Sequence, residues 1–460
     1  MTQNQPLPPR LALLLQAPPA RVLWRLAAPN VVTAALMVAV PIADAWFVGQ
    51  LGTEALASLA LVFPLQSLMQ MMAGGAIGGG TASAVARALG AGDQAAADAA
   101  AWHAIMIGLV MATLYMVVLG LFARPVFSLF GAQAEVLDGA VAYAWIAFGG
   151  AASVWALQIC FAILRGSGDT VTPARAAIGS SLVQVCLSGA LTLGWGPFPK
   201  MGVIGPAIAI VIAMAGGAAY LAWQLVRSGG SSQRVVRLRP HRLAWKPAKS
   251  ILQVGAIGLL NSLTIAFTVV VVTRLVAEYG TAALAGYGLG SRLELLLTPL
   301  VFGIGGALTG AVGANIGAKQ YARARRLARS GTVVAGLATG AIGVTVALYP
   351  NLWLNLFTAD AAAYAMGGLY LLIAGPFFGL FGAGQTLYFA SQGTGRMGLP
   401  VLVGGLRFAC AAGGGLLVVG LSLPVGWLFA CVATGLAVTG IGLGLCLQFS
   451  PGWRGDEKRQ

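Results

Sequence analysis

The feature that most constrains this chain is a series of twelve apolar runs separated by short polar segments. Each run is at least about as long as the roughly 20 residues that a helix needs to cross a membrane. The runs lie at residues 26–48, 56–82, 101–123, 139–163, 176–196, 203–226, 251–275, 284–312, 331–350, 363–390, 399–420 and 426–448. Only 8% of the 460 residues are charged, against about 25% in a soluble domain. The pattern predicts an all-α polytopic membrane protein with twelve transmembrane helices.

Basic residues are concentrated in alternate loops of this pattern. Such loops are typical of the cytoplasmic side of a membrane. The basic loops and tails contain Arg87, Arg165, Arg175, the segment 227–249, Lys319, Arg323, Arg325, Arg326, Arg329, Arg396, Arg454, Lys458 and Arg459. The opposite loops contain only Arg124 and Lys200, with Arg274 near a helix end. We therefore expect both termini in the cytoplasm and the protein in a bacterial inner (plasma) membrane.

Five segments follow from the runs and the charges. They are a cytoplasmic tail at 1–25, a six-helix lobe at 26–226, a basic cytoplasmic linker at 227–249, a second six-helix lobe at 250–448 and a cytoplasmic tail at 449–460. The linker opens with a flexible Gly- and Ser-rich composition and then turns basic, which fits a solvated connection with a side role at anionic lipid headgroups. The net charge of +15 is spread over short loops, so no nucleic-acid partner is expected; the expected surrounding is the lipid bilayer.

The two halves repeat each other at a nearly constant offset. Residues 48–57 match 276–285 at an offset of 228, whereas 89–92 match 316–319 and 165–173 match 392–400 at 227. Six spans per repeat leave both copies in the same orientation, so the lobes should be related by a pseudo-two-fold axis along the membrane normal. Transporters with such parallel repeats hold their substrate between the halves, and alternating access by rocking of the lobes follows as a hypothesis.

One acid, Asp44, lies near the end of the first apolar run. A charged carboxylate inside a span costs about 3 kcal/mol or more, and such acids usually face a polar cavity or carry function. Pro41 lies three residues earlier and lacks the N–H that the carbonyl of Met37 would bind in a regular helix. The combination favours a movable, hydrated ion-coupling site; the alternative is an interfacial acid that reaches the headgroups.

Other polar side chains inside the spans are candidates for a cargo cavity. The amides among them are Gln66, Gln158, Gln184, Asn261 and Gln385, and the aromatic candidates are Tyr143, Tyr370 and Tyr388. Amides in spans also form interhelical hydrogen bonds, and tyrosines either bind cations through their rings or face lipid. Glu294 is either a cavity acid that attracts cations or a paired acid near the outer interface. The repeat aligns Gln158 with Gln385 and Tyr143 with Tyr370, but Asp44 with Val272 and Glu294 with Gln66.

Metal and catalytic patterns are not evident in the sequence. The five cysteines lie in apolar stretches without a CxxC pair, and the two histidines, His103 and His241, lack ligand spacing. The stretch Gly74–Gly80 lacks the Lys-Ser/Thr ending of a phosphate loop and lies in a span, so close helix packing explains it better. We predict no cofactor, no metal site and no enzymatic activity, with an ion gradient as the source of energy.

Taken together, four motifs resemble those of the multidrug and toxic compound extrusion (MATE) family. They are the Asp44 stretch with Pro29 fifteen residues upstream, residues 88–93 after the second span, 164–173 after the fourth and 313–318 after the eighth. The resemblance covers nearly the whole chain and is closer to the DinF branch of the family than to the NorM branch.

This resemblance implies an antiporter that exports cationic or amphipathic organic compounds. It implies that Asp44 is the coupling acid and that a helix bend near Pro29 accompanies its protonation. The sequence departs from the branch at Pro41, where an Asn is common, and at Ser188 and Gln184, where the fifth span often has an Asp and an Asn. A lone carboxylate favours protons over sodium.

Several alternatives stay open at this stage. They are sodium coupling, a metabolite exporter on the same fold and a lipid-linked precursor flippase of the same superfamily, although flippases tend to have two additional spans. We expect a monomer that binds small organic cations or amphipaths.

The topology is testable with reporter fusions. Green fluorescent protein fused after Gln460 should fluoresce, because that reporter folds in the cytoplasm. Alkaline phosphatase inserted after Lys200 should be active, because it needs the oxidising outer compartment. Active phosphatase fused at Gln460 would contradict the orientation.

Overall fold

In the computed structural model, the described residues are 8–129, 134–227, 236–358 and 360–454. The helices are α1 (Pro9–Gln16), α2 (Pro19–Gly49), α3 (Thr53–Gln70), α4 (Gly78–Gly90), α5 (Gln94–Leu129), α6 (Ala134–Gly149), α7 (Ala151–Gly166), α8 (Val171–Leu193), α9 (Gly205–Arg227), α10 (Trp245–Ala277), α11 (Thr281–Gly317), α12 (Tyr321–Leu348), α13 (Asn351–Leu354), α14 (Ala361–Ala374), α15 (Phe378–Thr394), α16 (Gly398–Phe408), α17 (Gly414–Gly420), α18 (Val425–Phe449) and α19 (Pro451–Arg454). A π-helical turn, Met71–Ile77, joins α3 to α4, and a second one, Ala409–Gly413, joins α16 to α17.

The predicted spans agree with the helices. Over the described ranges, eleven helices or continuous helical stretches are long and apolar enough to cross a membrane, and the bent pair α6–α7 makes a twelfth. The bend of 47° falls between Gly149 and Ala151, where a side chain on Gly150 would collide with Val211. The all-α class and the two six-helix bundles are confirmed.

The internal repeat is visible in the backbone. Eight of the ten described residues with a positive φ form pairs that are 227 or 228 residues apart: Gly52 and Gly280, Gly92 and Lys319, Gly168 and Gly395, Gly194 and Ser422. The bend between α6 and α7 has its counterpart at Gly375–Phe377, where a 3₁₀ turn joins α14 to α15. The two copies therefore end their helices and turn in the same way.

Helix α2 contacts both lobes. In its first half, Val31 packs against Gly303 of α11, and Leu23 packs near Gly331 of α12. In its second half, Phe47 packs against Gly189 of α8. Pro29 and Pro41 both lie inside this helix, and each removes one backbone hydrogen bond. The sequence thus interrupts the backbone hydrogen bonding at two positions in the helix that contacts both lobes.

The lobes meet closely at one end of the bundle, which we call the basic end. It carries the turns 91–93, 167–170, 318–320 and 395–397. There α4 and α11 cross backbone to backbone: a Cβ on Gly90 would lie 1.9 Å from the carbonyl oxygen of Ala314, and one on Gly317 would lie 2.1 Å from that of Arg87. Positions 87 and 314 are themselves repeat equivalents, so the crossing is nearly symmetric.

Hydrogen bonds reinforce this contact between the lobes. Arg87 donates from Nη2 to Ser250 Oγ over 3.0 Å and from Nη1 to Ser83 Oγ. Ser83 Oγ in turn donates to the carbonyl oxygen of Gln392. Asn315 donates from Nδ2 to the carbonyl oxygen of Leu14 over 3.0 Å, which fixes α1 beneath the crossing.

The hydrophobic cores also show that the lobes meet at one end only. One continuous core includes buried residues of both lobes, among them Val85 and Leu308. A second core, which includes Val276 and Phe429, contains only residues of the second lobe. The lobes therefore share a core toward the basic end, while the second lobe keeps a separate core toward the other end.

The described part of the linker lies against the first lobe. The N–H of Arg237 donates to Asp98 Oδ1 over 2.9 Å, and the N–H of Ala244 donates to His103 Nε2 over 2.9 Å. His103 Nδ1 lies 2.7 Å from the carbonyl oxygen of Ala99, so this ring is neutral with its proton on Nδ1. His103 is structural. The flexible Gly- and Ser-rich opening that we expect at 228–235 lies outside the described residues.

The glycine crossing is testable by substitution. Gly90→Ala and Gly317→Ala should each destabilise the protein by about 1–3 kcal/mol, because the new methyl group overlaps a backbone oxygen. Thermal unfolding in detergent measures the effect. Gly216→Ala on α9 is the matched control, since a Cβ there meets nothing within 4 Å. An equal loss in the control would contradict the proposed overlap.

Candidate functional site

The first-lobe site is centred on Asp44, which is buried in the second half of α2. Gln184 of α8 donates from Nε2 to Asp44 Oδ2 over 3.0 Å. Ser188 follows Gln184 by one helical turn and lies near the same carboxylate. Asp44 Oδ1 and Ser188 Oγ are both buried and have no hydrogen-bond partner within the described structure. The carboxylate thus has one oxygen bonded by an amide and the Ser188 hydroxyl as its other polar neighbour.

Two further predicted residues lie in this site. Tyr143 is buried in α6 and lies within electrostatic range of Asp44. Its hydroxyl donates to Gln66 Oε1 over 3.4 Å. The equivalent bond exists in the second lobe, where the hydroxyl of Tyr370 donates to Glu294 Oε2 over 3.4 Å. The repeat therefore keeps the tyrosine bond but replaces an amide by an acid.

Glu294 is an ion-paired acid. Arg407 of α16 donates from Nη2 to Glu294 Oε1 over 3.0 Å, and the two side chains are 13% and 16% exposed. The Arg407 guanidinium also lies 4.9 Å from the ring centre of Phe381. The sequence left open whether Glu294 is a cavity acid or a paired acid. In the structure it is paired with Arg407. Its partner is on another helix, and Arg292 is not its ion-pair partner.

A small cavity lies inside the second lobe. Three predicted residues, Asn261, Gln385 and Tyr388, line it together with Arg407. The Tyr388 hydroxyl is buried and has no hydrogen-bond partner in the described part of the chain. The lining is mostly apolar, and the charge of Arg407 on it is balanced by Glu294.

Gln158 lies elsewhere, at the junction between α3 and α4. It donates from Nε2 to Gln70 Oε1 over 3.0 Å and packs against Gly74. Its repeat equivalent, Gln385, lines the second-lobe cavity instead. This pair of amides is therefore not brought together at a common cavity.

The predicted residues consequently form three groups rather than one central cluster. Asp44, Gln184, Ser188, Tyr143 and Gln66 form the first-lobe site; Asn261, Gln385, Tyr388, Glu294 and Tyr370 surround Arg407 in the second lobe; and Gln158 is separate. Sequence reasoning missed Arg407 as a site residue. The signal was present, since Arg407 lies in the middle of the apolar run 399–420, where a charge marks a function or a partner.

The residues that the structure describes include no group of three or more His, Cys, Asp or Glu side chains placed to hold a metal ion. The functional groups of the first-lobe site are one carboxylate, amides and hydroxyls.

Comparison with known proteins fits this architecture. The MatE family model matches residues 29–188 and 259–413, one segment in each repeat and together more than half of the chain. The chain belongs to the MatE family. Members of this family are secondary transporters that need no cofactor, so the protein is a multi-pass membrane transporter and not an enzyme.

Curated relatives of this MatE protein have several names. A "FAD transporter" of Shewanella oneidensis is 26% identical over 80% of this chain and 81% of the relative. A "Probable multidrug resistance protein NorM" of Thermotoga maritima is 25% identical over 83% and 81%. A "Multidrug export protein MepA" of Staphylococcus aureus is 21% identical over 83% of each chain. The placement of this chain in the DinF branch stays a prediction.

Solved structures share the fold of the MatE protein. A crystal structure described as MATE in the bent conformation has a TM-score of 0.88 and 22% identity, and covers 97% of this chain and 98% of that chain. An outward-facing multidrug resistance MATE family transporter has a TM-score of 0.86 and 22% identity, with 98% and 100% covered. At this identity, the likeness concerns the fold.

The Glu294–Arg407 pair is testable by a double-mutant cycle. Glu294→Gln and Arg407→Gln should each cost about 1–3 kcal/mol of stability, because each leaves a largely buried charge without its partner. The double variant should cost less than the sum of the two. Thermal unfolding measures all three.

The pair Arg274–Glu278 provides the control for this cycle. Its atoms lie 2.9 Å apart, but its side chains are 74% and 49% exposed. Removing that pair should cost less than about 1 kcal/mol. Strictly additive losses for Glu294 and Arg407 would contradict the coupling.

Proposed function

We propose that this protein is a proton-coupled antiporter that exports cationic or amphipathic organic compounds by alternating access. The observation that carries the proposal is the environment of Asp44: a buried carboxylate on the helix that contacts both lobes, with one oxygen bonded to Gln184 and the Ser188 hydroxyl nearby, and with no cation among the described residues beside it to balance its charge. Relatives named as multidrug resistance and multidrug export proteins support the cargo class.

The polar set around Asp44 favours a proton over sodium. A sodium site needs several oxygen ligands, including more than one carboxylate or carbonyl group at close range. Here the carboxylate is accompanied by an amide that donates its N–H and by the Ser188 hydroxyl. A proton on the carboxylate requires only one of its oxygens and removes the charge from the membrane interior.

Protonation can reach the lobes through α2. The second half of this helix is held to α8 by the Gln184 bond and by Phe47, while the first half packs on α11 and α12. Neutralising Asp44 weakens a charge-assisted hydrogen bond, and Pro29 and Pro41 let the two halves of α2 change their relative direction. A proton can therefore alter how the first lobe is joined to the second.

The contact between the lobes supports an outward-facing state. The lobes meet at the basic end, and the second lobe has a separate core toward the opposite end. With the basic loops in the cytoplasm, as the positive-inside rule predicts, the closed end is the inner one. We propose that both termini lie on that side.

A second candidate cargo is a flavin nucleotide. The "FAD transporter" of Shewanella oneidensis is 26% identical to this chain over 80% of its length. Metabolite export and drug export use the same fold and differ in cargo.

The function is tested in vesicles that contain the purified protein. When a proton gradient is applied, wild type should export ethidium in exchange for protons. It should also release protons when ethidium is added. Asp44→Asn should abolish both activities while ethidium binding persists, because the amide cannot carry the proton. Asp138→Asn is the matched control, since that acid pairs with Arg124 at an exposed position, and it should transport normally.

The competing assignments give different results in the same vesicles. Unchanged efflux by Asp44→Asn would contradict the role of the carboxylate. Efflux driven only by a sodium gradient would replace the proton with sodium. Transport of FAD without transport of ethidium would select the metabolite exporter.

A further inference from the structure

A second, small cavity lies between the two lobes above the basic end. The first lobe contributes Gly74, Gly75, Gly79, Ala82 and Arg165, and the second lobe contributes Phe302, Gly306, Thr309, Phe389 and Gln392. It contains none of the residues that surround Asp44 or Arg407. Its wall is built by the π-helical turn after α3, the end of α7 and the facing parts of α11 and α15.

Arg165 brings a positive charge into this cavity without an acid beside it. Its Nη2 donates to the carbonyl oxygen of Gly74 over 3.4 Å, and its guanidinium lies 5.3 Å from the ring centre of Phe302. Its Nε is buried without a hydrogen-bond partner. Asp169, the nearest acid along the chain, pairs with Arg10 over 2.8 Å. Within the described ranges, Arg165 has only neutral acceptors.

Asn30 of α2 lies close to Gly306, a residue of the cavity wall. It is 4% exposed, and its Nδ2 has no hydrogen-bond partner in the described structure. A methyl group placed on Gly306 would lie 3.5 Å from Arg165 Nη1 and 3.8 Å from Asn30 Nδ2. Donors from two helices of the first lobe therefore converge at a glycine of the second lobe.

The remaining polar groups of the wall are already used. Gln392 donates from Nε2 to the carbonyl oxygen of Gly75 over 2.9 Å, and Thr309 Oγ1 donates to the carbonyl oxygen of Phe389 over 2.8 Å. The donors left free here, within the described structure, are those of the Arg165 guanidinium, in the cavity wall, and of the Asn30 amide, close to Gly306. A buried charge without a counter-charge is costly, and an anion at this position removes that cost.

We propose that this cavity binds a small anionic group between the lobes. The group is either a free inorganic anion such as chloride or the terminal phosphate or carboxylate of a cargo molecule. The proposal does not depend on which ion drives transport, since Asp44 has no part in the site.

Binding at this position favours one conformation. Arg165 and Asn30 belong to the first lobe, whereas Phe302, Gly306 and Gln392 belong to the second, so the cavity exists only while the lobes meet at the basic end. A ligand that binds one conformation shifts the equilibrium toward it. An anion should therefore stabilise the arrangement described here.

The test measures the thermal unfolding of the purified protein at constant ionic strength, in sodium chloride and in sodium gluconate. Wild type should unfold at a temperature higher by about 3 °C or more in chloride. Arg165→Gln, which installs the residue found at the equivalent repeat position 392, should lose this difference. Arg407→Gln and Asp44→Asn should keep it, because neither residue lines the cavity.

A second variant keeps the test decisive if Arg165→Gln folds poorly. Asn30→Asp places a carboxylate beside Arg165 and so supplies the anion within the chain. This variant should be more stable than wild type in gluconate and should not respond to chloride.

The source of the anion is separated by a second pair of probes. If chloride has no effect, flavin mononucleotide should stabilise wild type while riboflavin, which lacks the phosphate, should not, and Arg165→Gln should respond to neither. That result assigns the site to a cargo phosphate, whereas a chloride effect assigns it to a free ion. No effect of any anion, or equal effects in wild type and Arg165→Gln, would overturn the proposal. Failed ethidium transport with an intact anion effect would refute only the proposed function.

Discussion

The structure depends on a backbone-to-backbone crossing of α4 and α11 at the basic end. Gly90 and Gly317 bring each helix against a carbonyl oxygen of the other, which no residue with a Cβ allows. Close approach through small residues is the main source of helix association in a membrane, because lipid removes the hydrophobic driving force. Everything above this crossing, including the cavity between the lobes, is positioned by it.

The same crossing explains why the two polar sites are separate. Each lobe keeps its own polar groups on its own helices: an acid with an amide in the first lobe, and an acid paired with an arginine in the second. The shared tyrosine bond to residue 66 or 294 shows that both sites descend from one arrangement. The two acids are not repeat equivalents, since Asp44 corresponds to Val272 and Glu294 corresponds to Gln66.

The sequence predicted the fold well because its signals are local. The twelve apolar runs and the repeated turns depend on residues that are close in the chain, and each run coincides with a helix or a bent pair. The neighbourhood of Asp44 was predicted in part, since Gln184 and Ser188 followed from the family resemblance. Two contacts could not be predicted, the Glu294–Arg407 pair and the approach of Asn30 to Arg165, because each joins helices more than 100 residues apart. Periodicity shows which face of a helix is polar, but it does not show which helix packs on that face.

The first helix of each repeat packs on both lobes. Helix α2 begins the first repeat yet packs its first half on α11 and α12, and α10 begins the second repeat yet packs on α4 at Gly80 and on the π-helical turn at Ala76 and Ile77. The linker before α10 is bonded to Asp98 and His103 of the first lobe. Neither half therefore holds a complete set of packing partners. A gene divided at the linker would therefore encode two fragments that each leave part of their first helix uncovered until the other fragment packs on it.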